Sequence, residues 1–230
     1  MKAVNGAADG TIRHHPSEET LVSYAVGGLG PAAGIAVKAH LLYCRHCRAT
    51  TALAVAAGGL LLLDLPPSPL APGALQQTLD RLGGTKAAQM RETPAQPARL
   101  RPPGAAAALS WLGLPAPRLR WVSPGVRVAV LLRESGGAQG GKALLLLRVR
   151  PGVALPTHGH AGTERTCVLE GAFADEGGRY GIGDLAEAEG GYNHRPVAEG
   201  PADCVCLIAT SGRTHFAGTL GKLVGAWLKI

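Results

Sequence analysis

The chain has 230 residues, which is enough for one large domain or two small ones, each with its own core. Apolar residues make up 46 % of it and aromatic residues only 4 %, so its cores must be built from Ala, Leu and Val. The formal charge of +7 raises the question of nucleic acid, but the basic residues are scattered and are not interleaved with aromatic ones. A basic surface that meets an acidic protein partner fits equally well, and we expect no direct binding to nucleic acid.

The chain has five cysteines, an odd number, and its first residues lack the apolar stretch of a secretory signal. Both features are typical of a protein in a reducing compartment, where cysteines bind metal or carry out redox chemistry. The longest apolar run, residues 51–63, contains two glycines and is shorter than the roughly 20 residues that a membrane span needs. We therefore expect a cytoplasmic protein that makes no membrane contact.

The first 85 residues predict a small bundle of four helices. Ser17 is a typical N-cap, and Glu18 and Glu19 would lie in the first turn, where the helix dipole favours carboxylates. This helix is predicted to end at Gly27 and Gly28. The other three are predicted to begin near Pro31, to span Arg45 to about Leu63, and to repeat an apolar residue at Leu75, Leu79 and Leu82.

Between residues 83 and 103 the composition changes to that of a linker, and short β-like runs separated by Gly-rich turns follow it. These runs are residues 127–132, 143–149, 166–169 and 202–209. The predicted fold is multi-domain α plus β: a helical domain over residues 1–85, a linker over 86–103 and a β-sandwich or small barrel over 104–230. Trp111, Trp121 and Trp227 are interpreted as core anchors of the β-domain.

The stretch HLLYCRHC, with His40, Cys44 and Cys47, carries the most chemical information. On an α-helix, steps of four and three residues would bring these three side chains to one face. Two thiolates and an imidazole are ligands that zinc prefers, and one further ligand would close a tetrahedral site. His15 or the adjacent His14 is the candidate for that position. A closed site leaves no coordination position for a substrate, which favours a structural or sensory role.

A second cluster contains His158, His160, Glu164 and His194. Side chains alternate along a strand, so His158 and His160 would point to the same side. Glu164 follows a turn and can fold back towards them on the next strand. Three imidazoles and one carboxylate bind several divalent metals, so these donors alone do not identify the ion.

The sequence around this second cluster resembles the cupin superfamily. Its first motif is a glycine, five residues, His-x-His, three or four residues, Glu, six residues and a glycine, and Gly152 and Gly171 supply both glycines. The second motif is matched at three positions and departs from the usual residues at two: Gly183, Gly191 and His194 match, while Glu189 replaces a proline and Ala198 an asparagine. The resemblance implies a cupin barrel or jelly roll.

With both clusters, the chain is similar to the ChrR family of zinc-binding anti-sigma factors, in which a helical zinc domain precedes a cupin. The segments IRHHPSEETLVSYAVGGL, VKAHLLYCRHC, PTHGHAGTE, LEGAF and HRPVAEGPADCVCLIAT carry this resemblance, which covers nearly the whole chain except the linker. It implies Zn²⁺ held in the N-terminal domain and a second divalent metal, with Zn²⁺ the expected ion, in the cupin. The implied ligands are His15, His40, Cys44 and Cys47 for the first and His158, His160, Glu164 and His194 for the second.

The resemblance also implies a function. The helical domain would bind an ECF-type sigma factor in a one-to-one complex, and the cupin domain would sense an oxidant and release it. Singlet oxygen and organic hydroperoxides are the signals that the family suggests. Cys204 and Cys206 match a cysteine pair of the family and are candidate redox residues, whereas Cys167 lies outside the pattern. On this interpretation the chain is not an enzyme.

Two other functions compete with this interpretation. A metal-dependent cupin enzyme of the dioxygenase type, fused to a structural zinc domain, would use an open coordination position for catalysis. A zinc-finger DNA-binding regulator ranks last, because the helical domain offers no clear recognition helix with base-reading side chains.

Overall fold

The computed structural model describes residues 12–84, 102, 104–134, 141–191, 193–212 and 214–216, so most of the predicted linker and Trp227 lie outside the described residues. Five helices lie in this part of the chain: α1 Glu18–Ala25, α2 Pro31–Leu41, α3 Arg45–Leu63, α4 Ala74–Gly84 and α5 Ala105–Trp111. The first four are the predicted helices. Ser17 caps α1, because its hydroxyl accepts a hydrogen bond from the N–H of Thr20 at 3.2 Å.

The remainder is antiparallel β-structure, arranged as one six-stranded sheet and two three-stranded sheets. The six-stranded sheet has the order β1-β2-β3-β11-β5-β8, and the smaller sheets have the orders β10-β6-β7 and β12-β4-β9. The strands are β1 Arg120–Ser123, β2 Val126–Glu134, β3 Lys142–Val149, β4 His158–His160, β5 Glu164–Glu170, β6 Ala172–Asp175, β7 Gly178–Tyr180, β8 Leu185–Ala188, β9 Asn193–His194, β10 Val197–Glu199, β11 Cys204–Ser211 and β12 Thr214–Phe216. An N-terminal helical part followed by a cupin-like β-sandwich confirms the predicted fold class.

Both faces of the six-stranded sheet are covered at its centre, which explains the continuous apolar runs from Leu144 to Leu147 in β3 and from Val205 to Ile208 in β11. In β3 and β11, which pair in register from Cys204↔Val149 to Ser211↔Lys142, alternate side chains point to opposite faces. Cys206 and Leu147 pack on the inner face with Phe173. Residues of the outer face pack instead against the helices.

One hydrophobic cluster joins the N-terminal helices to the outer face of this sheet. Helix α2 lies across β3, β5 and β11, and Ala36 and Val37 on it are fully buried. They share the cluster with Leu144, Leu146 and Leu207 of the sheet. The helical part and the β-sandwich are therefore in direct contact through a common apolar layer.

The interpretation of Trp121 as a core anchor is wrong. Its side chain is 54 % exposed on the edge strand β1. The guanidinium groups of Arg127 and Arg150 lie 5.1 Å and 5.4 Å from its ring centroid, so cation–π contacts replace the expected burial. Trp111 is half-buried in α5.

Helices α3 and α4 present an uncovered apolar surface. On α3 only Cys47 is buried, although the helix has 19 residues. By length and composition alone α3 is able to cross a membrane, but one helix of this kind is weak evidence for a membrane span. Its apolar side chains and those of α4 are largely exposed: Leu53, Val55, Leu60, Leu61, Leu62, Leu63, Leu75, Leu79 and Leu82.

Candidate metal centres

The N-terminal cluster lies at the junction of α2 and α3. His40, Cys44 and Cys47 lie on two helices and not on one helix face, in agreement with the predicted start of a helix at Arg45. His40 is near the end of α2, Cys44 is the N-cap of α3 and Cys47 is in the first turn of α3. The backbone turns between them, since the N–H of Cys44 still bonds to the carbonyl of His40 at 2.9 Å while Cys44 itself is extended. The turn brings both thiols beside the imidazole of His40.

His15 completes this cluster, and His14 does not. The Nδ1 atom of His15 lies 3.4 Å from Sγ of Cys44 and 3.4 Å from Sγ of Cys47. One ligand atom from each of His15, His40, Cys44 and Cys47 lies within 4.8 Å of every other. The ring of His14 instead packs on Tyr180, with centroids 4.2 Å apart. The sequence left these two histidines as alternatives, and the structure brings His15 to the thiols.

The hydrogen bonding and protonation of the N-terminal cluster suit a metal ion. Nδ1 of His40 donates a hydrogen bond to the carbonyl oxygen of Gly183 at 2.7 Å, while its buried Nε2 has no hydrogen-bond partner. Burial lowers the pKa of His40 to about 4, so the imidazole is neutral with a free lone pair. Burial, together with the thiol of Cys44, raises the pKa of Cys47 to about 12, so metal binding would have to displace a proton.

The second cluster lies between the six-stranded sheet and the smaller sheet of β4, β9 and β12. His158 and His160 come from β4, His194 from β9 and Glu164 from the start of β5, and all four side chains are buried. Nε2 of His158 lies 3.1 Å from Nε2 of His194, and Nε2 of His160 lies 3.0 Å from Oε2 of Glu164. The four predicted cupin residues are therefore together, with one ligand atom of each within 4.8 Å of the others.

Each imidazole of this cupin cluster turns Nε2 inward and has a partner for its outer nitrogen. Nδ1 of His158 donates to the carbonyl of Pro156 at 2.9 Å, and Nδ1 of His194 donates to Oδ2 of Asp175 at 2.9 Å. Nδ1 of His160 lies 3.4 Å from the hydroxyl of Thr214. Partners of this kind fix the ring orientation and tautomer of histidine ligands at metal sites.

Asp175 is a hydrogen-bond partner of the cupin cluster that the sequence did not predict. It ends β6, 19 residues before His194, and belongs to neither cupin motif. Burial acts to lower the pKa of His194, but the hydrogen bond to Asp175 and the negative charges of Glu164, Asp175 and Glu176 together outweigh burial and raise that pKa. No sequence signal marks Asp175, because only the pairing of the sheets brings it to the ring.

The carboxylate of Glu164 stays ionised in its buried position. Burial acts to raise its pKa, but the hydrogen bond and charge of His160 and the charges of His158 and His194 outweigh burial and hold the pKa at about 2. Thr166 donates a further hydrogen bond to Oε1 of Glu164 at 3.1 Å. A carboxylate with three inward-facing imidazoles is consistent with a bound divalent cation.

A cavity that opens to solvent lies beside the cupin cluster. Its wall is largely apolar and includes Phe173 and Ile208. Cys204 and Cys206 also line it, with their Sγ atoms 3.4 Å apart. The hydrogen bond between the two thiols, together with burial, raises the pKa of Cys206 well above its ordinary value. The thiol of Cys206 is therefore protonated at neutral pH. The fifth cysteine, Cys167, lies on the opposite, outer face of the sheet.

A carboxylate on β8 ties the first helix to the β-sandwich. Glu187 accepts hydrogen bonds from the N–H of Ser17 at 2.7 Å and the hydroxyl of Thr20 at 2.8 Å, and pairs with Arg165 at 2.8 Å. Burial acts to raise the pKa of Glu187, but these partners outweigh it and lower that pKa below its ordinary value. The contribution of Glu187 to stability is therefore complete above the unfolded pKa of about 4.5 and is lost as the pH falls through the lower folded value.

The variant Glu187→Gln should lower the free energy of unfolding by about 1–2 kcal/mol at pH 7, because it weakens charge-assisted hydrogen bonds that are only partly screened by water. The difference from wild type should begin to shrink below pH 4.5 and disappear once the pH is below the folded pKa, and urea unfolding across pH measures it. Glu199→Gln is the matched control, since its ion pair with Arg179 is solvent-exposed and should contribute little. An equal loss in both variants at pH 7 would contradict this role of Glu187.

Together, the fold and the two clusters define a cupin-fold protein with an N-terminal helical part and two sites that are consistent with metal binding. Residues 114–212 match the family described as the ChrR cupin-like domain. The chain is 39 % identical to the anti-sigma-E factor ChrR of Cereibacter sphaeroides over 224 residues, which cover 96 % of this chain and all of that protein. The chain thus belongs to the ChrR family of anti-sigma factors.

A solved structure agrees with this assignment. In the crystal structure of Rhodobacter sphaeroides SigE in complex with the anti-sigma factor ChrR, the matched chain is 37 % identical to this one. The match covers 87 % of this chain and all of that one, with a TM-score of 0.68.

Proposed function

We propose that this chain is an anti-sigma factor that binds an ECF-type sigma factor in a one-to-one complex and releases it under oxidative stress. Its role is regulatory rather than catalytic, and it acts in the cytoplasm. The observation that carries the proposal is the uncovered apolar surface of α3 and α4, which follows directly on the His/Cys cluster in a member of the ChrR family.

The exposed surface of α3 and α4 has the properties of a protein interface. Leu60, Leu63 and Leu75 are 69 %, 83 % and 69 % exposed, and contiguous apolar patches of this kind are rare on monomeric soluble proteins. A sigma factor that covers this surface would explain its apolar character, so that no membrane contact of α3 is needed. The relative named ChrR has been crystallised in complex with SigE, which supports the same kind of partner here.

For the N-terminal cluster we propose Zn²⁺ held by His15, His40, Cys44 and Cys47. Two sulfur and two nitrogen donors are a preferred zinc set, and tetrahedral closure leaves no position for a substrate. The ion would join the loop before α1 to the α2–α3 junction. It would thereby fix the direction in which α3 leaves the rest of the molecule.

For the cupin cluster we propose a second divalent metal, with Zn²⁺ the expected ion, held by His158, His160, Glu164 and His194. The adjoining cavity gives a small oxidant access to the site. Singlet oxygen and organic hydroperoxides are the signals proposed from the family. Cys204 and Cys206 face the same cavity, where a hydroperoxide could transfer one oxygen atom to a thiol, giving a sulfenic acid and the corresponding alcohol.

A metal-dependent cupin enzyme remains the alternative function, and the cavity beside the three imidazoles and one carboxylate is the observation that favours it. This alternative predicts a redox-active metal in the cupin cluster and turnover of a small substrate. Metal analysis of the purified chain distinguishes the two functions, because zinc as the sole cupin metal would count against a dioxygenase.

Co-elution of the full chain with an ECF sigma factor from the same organism tests the proposed function. We expect a stable one-to-one complex that contains zinc. The double variant Leu60→Asp/Leu63→Asp should weaken it by more than about 100-fold, because two charges would be buried without partners at the centre of an apolar contact.

Trp121→Asp is the control for the α3 variant, since it places a charge on an exposed aromatic position of the β-sandwich. We expect it to leave the complex intact. Full binding by the α3 double variant, or no complex with the wild-type chain when zinc is bound, would refute the proposed sigma-factor surface.

A further inference from the structure

The N-terminal cluster is held in part by the β-sandwich. The turn between β7 and β8, residues 181–184, is here called the β7–β8 clasp. Its Gly183 carbonyl accepts the hydrogen bond from Nδ1 of His40, one of the four cluster residues. Oδ1 of Asp184 accepts hydrogen bonds from the N–H of Arg13 at 2.7 Å and of His14 at 3.1 Å, directly before His15. The clasp thus contacts both chain segments that supply histidine to the cluster.

The β7–β8 clasp fits closely against the α2–α3 junction. Gly183 has φ +88°, and a Cβ added there would lie 2.7 Å from Cβ of Tyr43 and 3.1 Å from Cδ1 of Ile12. Oδ2 of Asp184 also accepts the N–H of Gly181 at 2.7 Å, which closes the turn on itself. A glycine is therefore required at position 183 both for its backbone conformation and for the space it leaves.

The same clasp is bonded to the strand that begins at the cupin cluster. The N–H of Gly183 donates to the carbonyl of Val168 at 2.8 Å, and the N–H of Val168 donates to the carbonyl of Asp184 at 3.1 Å. Val168 lies four residues after Glu164 on β5, a span of about 13 Å in an extended strand. Strand β8, which leaves the clasp, pairs Ala188 with Glu164 itself.

From this geometry we infer that the β7–β8 clasp is a positioning element for the N-terminal metal site and couples that site to the cupin cluster. The inference rests on the metal binding proposed above for both clusters. The carbonyl of Gly183 keeps the proton of His40 on Nδ1 and leaves Nε2 free for a metal. A change in the bonding of Glu164 alters the β5–β8 pair that carries the clasp, and so alters the hold on His40.

Cobalt release tests the clasp in the full-length chain. In the Co²⁺-loaded protein, a thiolate-to-cobalt charge-transfer band reports the N-terminal cluster alone, since no sulfur is among the four cupin cluster residues. Loss of this band in excess chelator gives the release rate. Gly183→Ala should raise the rate about 10-fold or more, the range expected when a partner of a ligating histidine is lost.

Gly200→Ala is the matched control for Gly183→Ala. Gly200 has φ +89°, so alanine there carries the same backbone strain, but no heavy atom lies within 4 Å of the added Cβ. We expect its release rate to equal that of wild type. If circular dichroism shows that Gly183→Ala does not fold, Asp184→Asn provides the second variant, because its NH2 group replaces one of the two oxygens that now accept hydrogen bonds from backbone N–H groups.

The coupling is tested by combining the clasp variant with Glu164→Gln. Alone, Glu164→Gln should raise the release rate from the N-terminal cluster several-fold, and it should add nothing in the Gly183→Ala background. Equal release from Gly183→Ala and Gly200→Ala would overturn the positioning role, and independent effects of the two substitutions would overturn the coupling. A wild-type chain without the charge-transfer band would instead contradict the proposed N-terminal metal site.

Discussion

Replacing Cys44 with serine should remove the N-terminal metal and abolish sigma-factor binding. Serine is itself a preferred N-cap residue, so the start of α3 keeps its cap while losing only the thiolate. Structural zinc contributes on the order of 10 kcal/mol to the folding of small zinc domains, so the α2–α3 junction should lose its fixed geometry. Isothermal titration with the sigma factor should show a loss of affinity of more than about 100-fold.

His46→Ala is the control for Cys44→Ser because it changes an exposed residue between the two cysteines. We expect it to retain zinc and sigma-factor binding. A Cys44→Ser protein that keeps its full zinc content and its affinity would exclude a structural metal in the N-terminal cluster.

Glu164→Gln should separate sensing from sigma-factor binding. The substitution keeps the size of the side chain but removes the buried negative charge that balances a dication among three imidazoles. We expect the affinity of the cupin cluster for its metal to fall by more than about 100-fold. The N-terminal cluster, although it releases its ion faster, should stay loaded with zinc in the absence of a chelator. The variant should still bind the sigma factor but no longer release it when an organic hydroperoxide or singlet oxygen is supplied.

Glu170→Gln tests whether this effect is specific to the cluster. Glu170 ends the same strand, β5, and accepts the N–H of Ala105 at the start of α5, away from the cupin cluster. Oxidant-triggered release of the sigma factor should be normal in this variant. Normal release from Glu164→Gln would show that the cupin metal plays no part in sensing.

Three residues of each cluster could be predicted because their spacing is local. His40, Cys44 and Cys47 lie within eight residues, and the short stretch from His158 to Glu164 likewise contains three of the four cupin residues. Local spacing was not enough to give the geometry between them, since the three side chains meet at a junction of two helices at Cys44 and not on one helix face. The helix limits at Arg45 and Leu63 agree with the predicted ones, and Pro66 and Pro67 follow the C-terminal end.

The partners that orient the clusters could not be predicted, because they are distant in sequence and of ordinary composition. Gly183 lies 143 residues from His40, and its contribution is a backbone carbonyl that any residue type possesses. Asp175 is one acidic residue among 16 in the chain. Trp121 was placed in the core on its residue type alone, whereas its position on an edge strand between two arginines depends on sheet order.

The apolar layer between α2 and the six-stranded sheet limits how this protein can be divided. A fragment that begins at residue 104 would carry Leu144, Leu146 and Leu207 on a bare sheet face, and such a face promotes aggregation. A fragment that ends near residue 85 would in turn leave Ala36 and Val37 without their packing surface. The helical part and the β-sandwich should therefore change together in evolution. A cupin domain taken from a relative should replace this one only when the α2 residues that pack on it are exchanged as well.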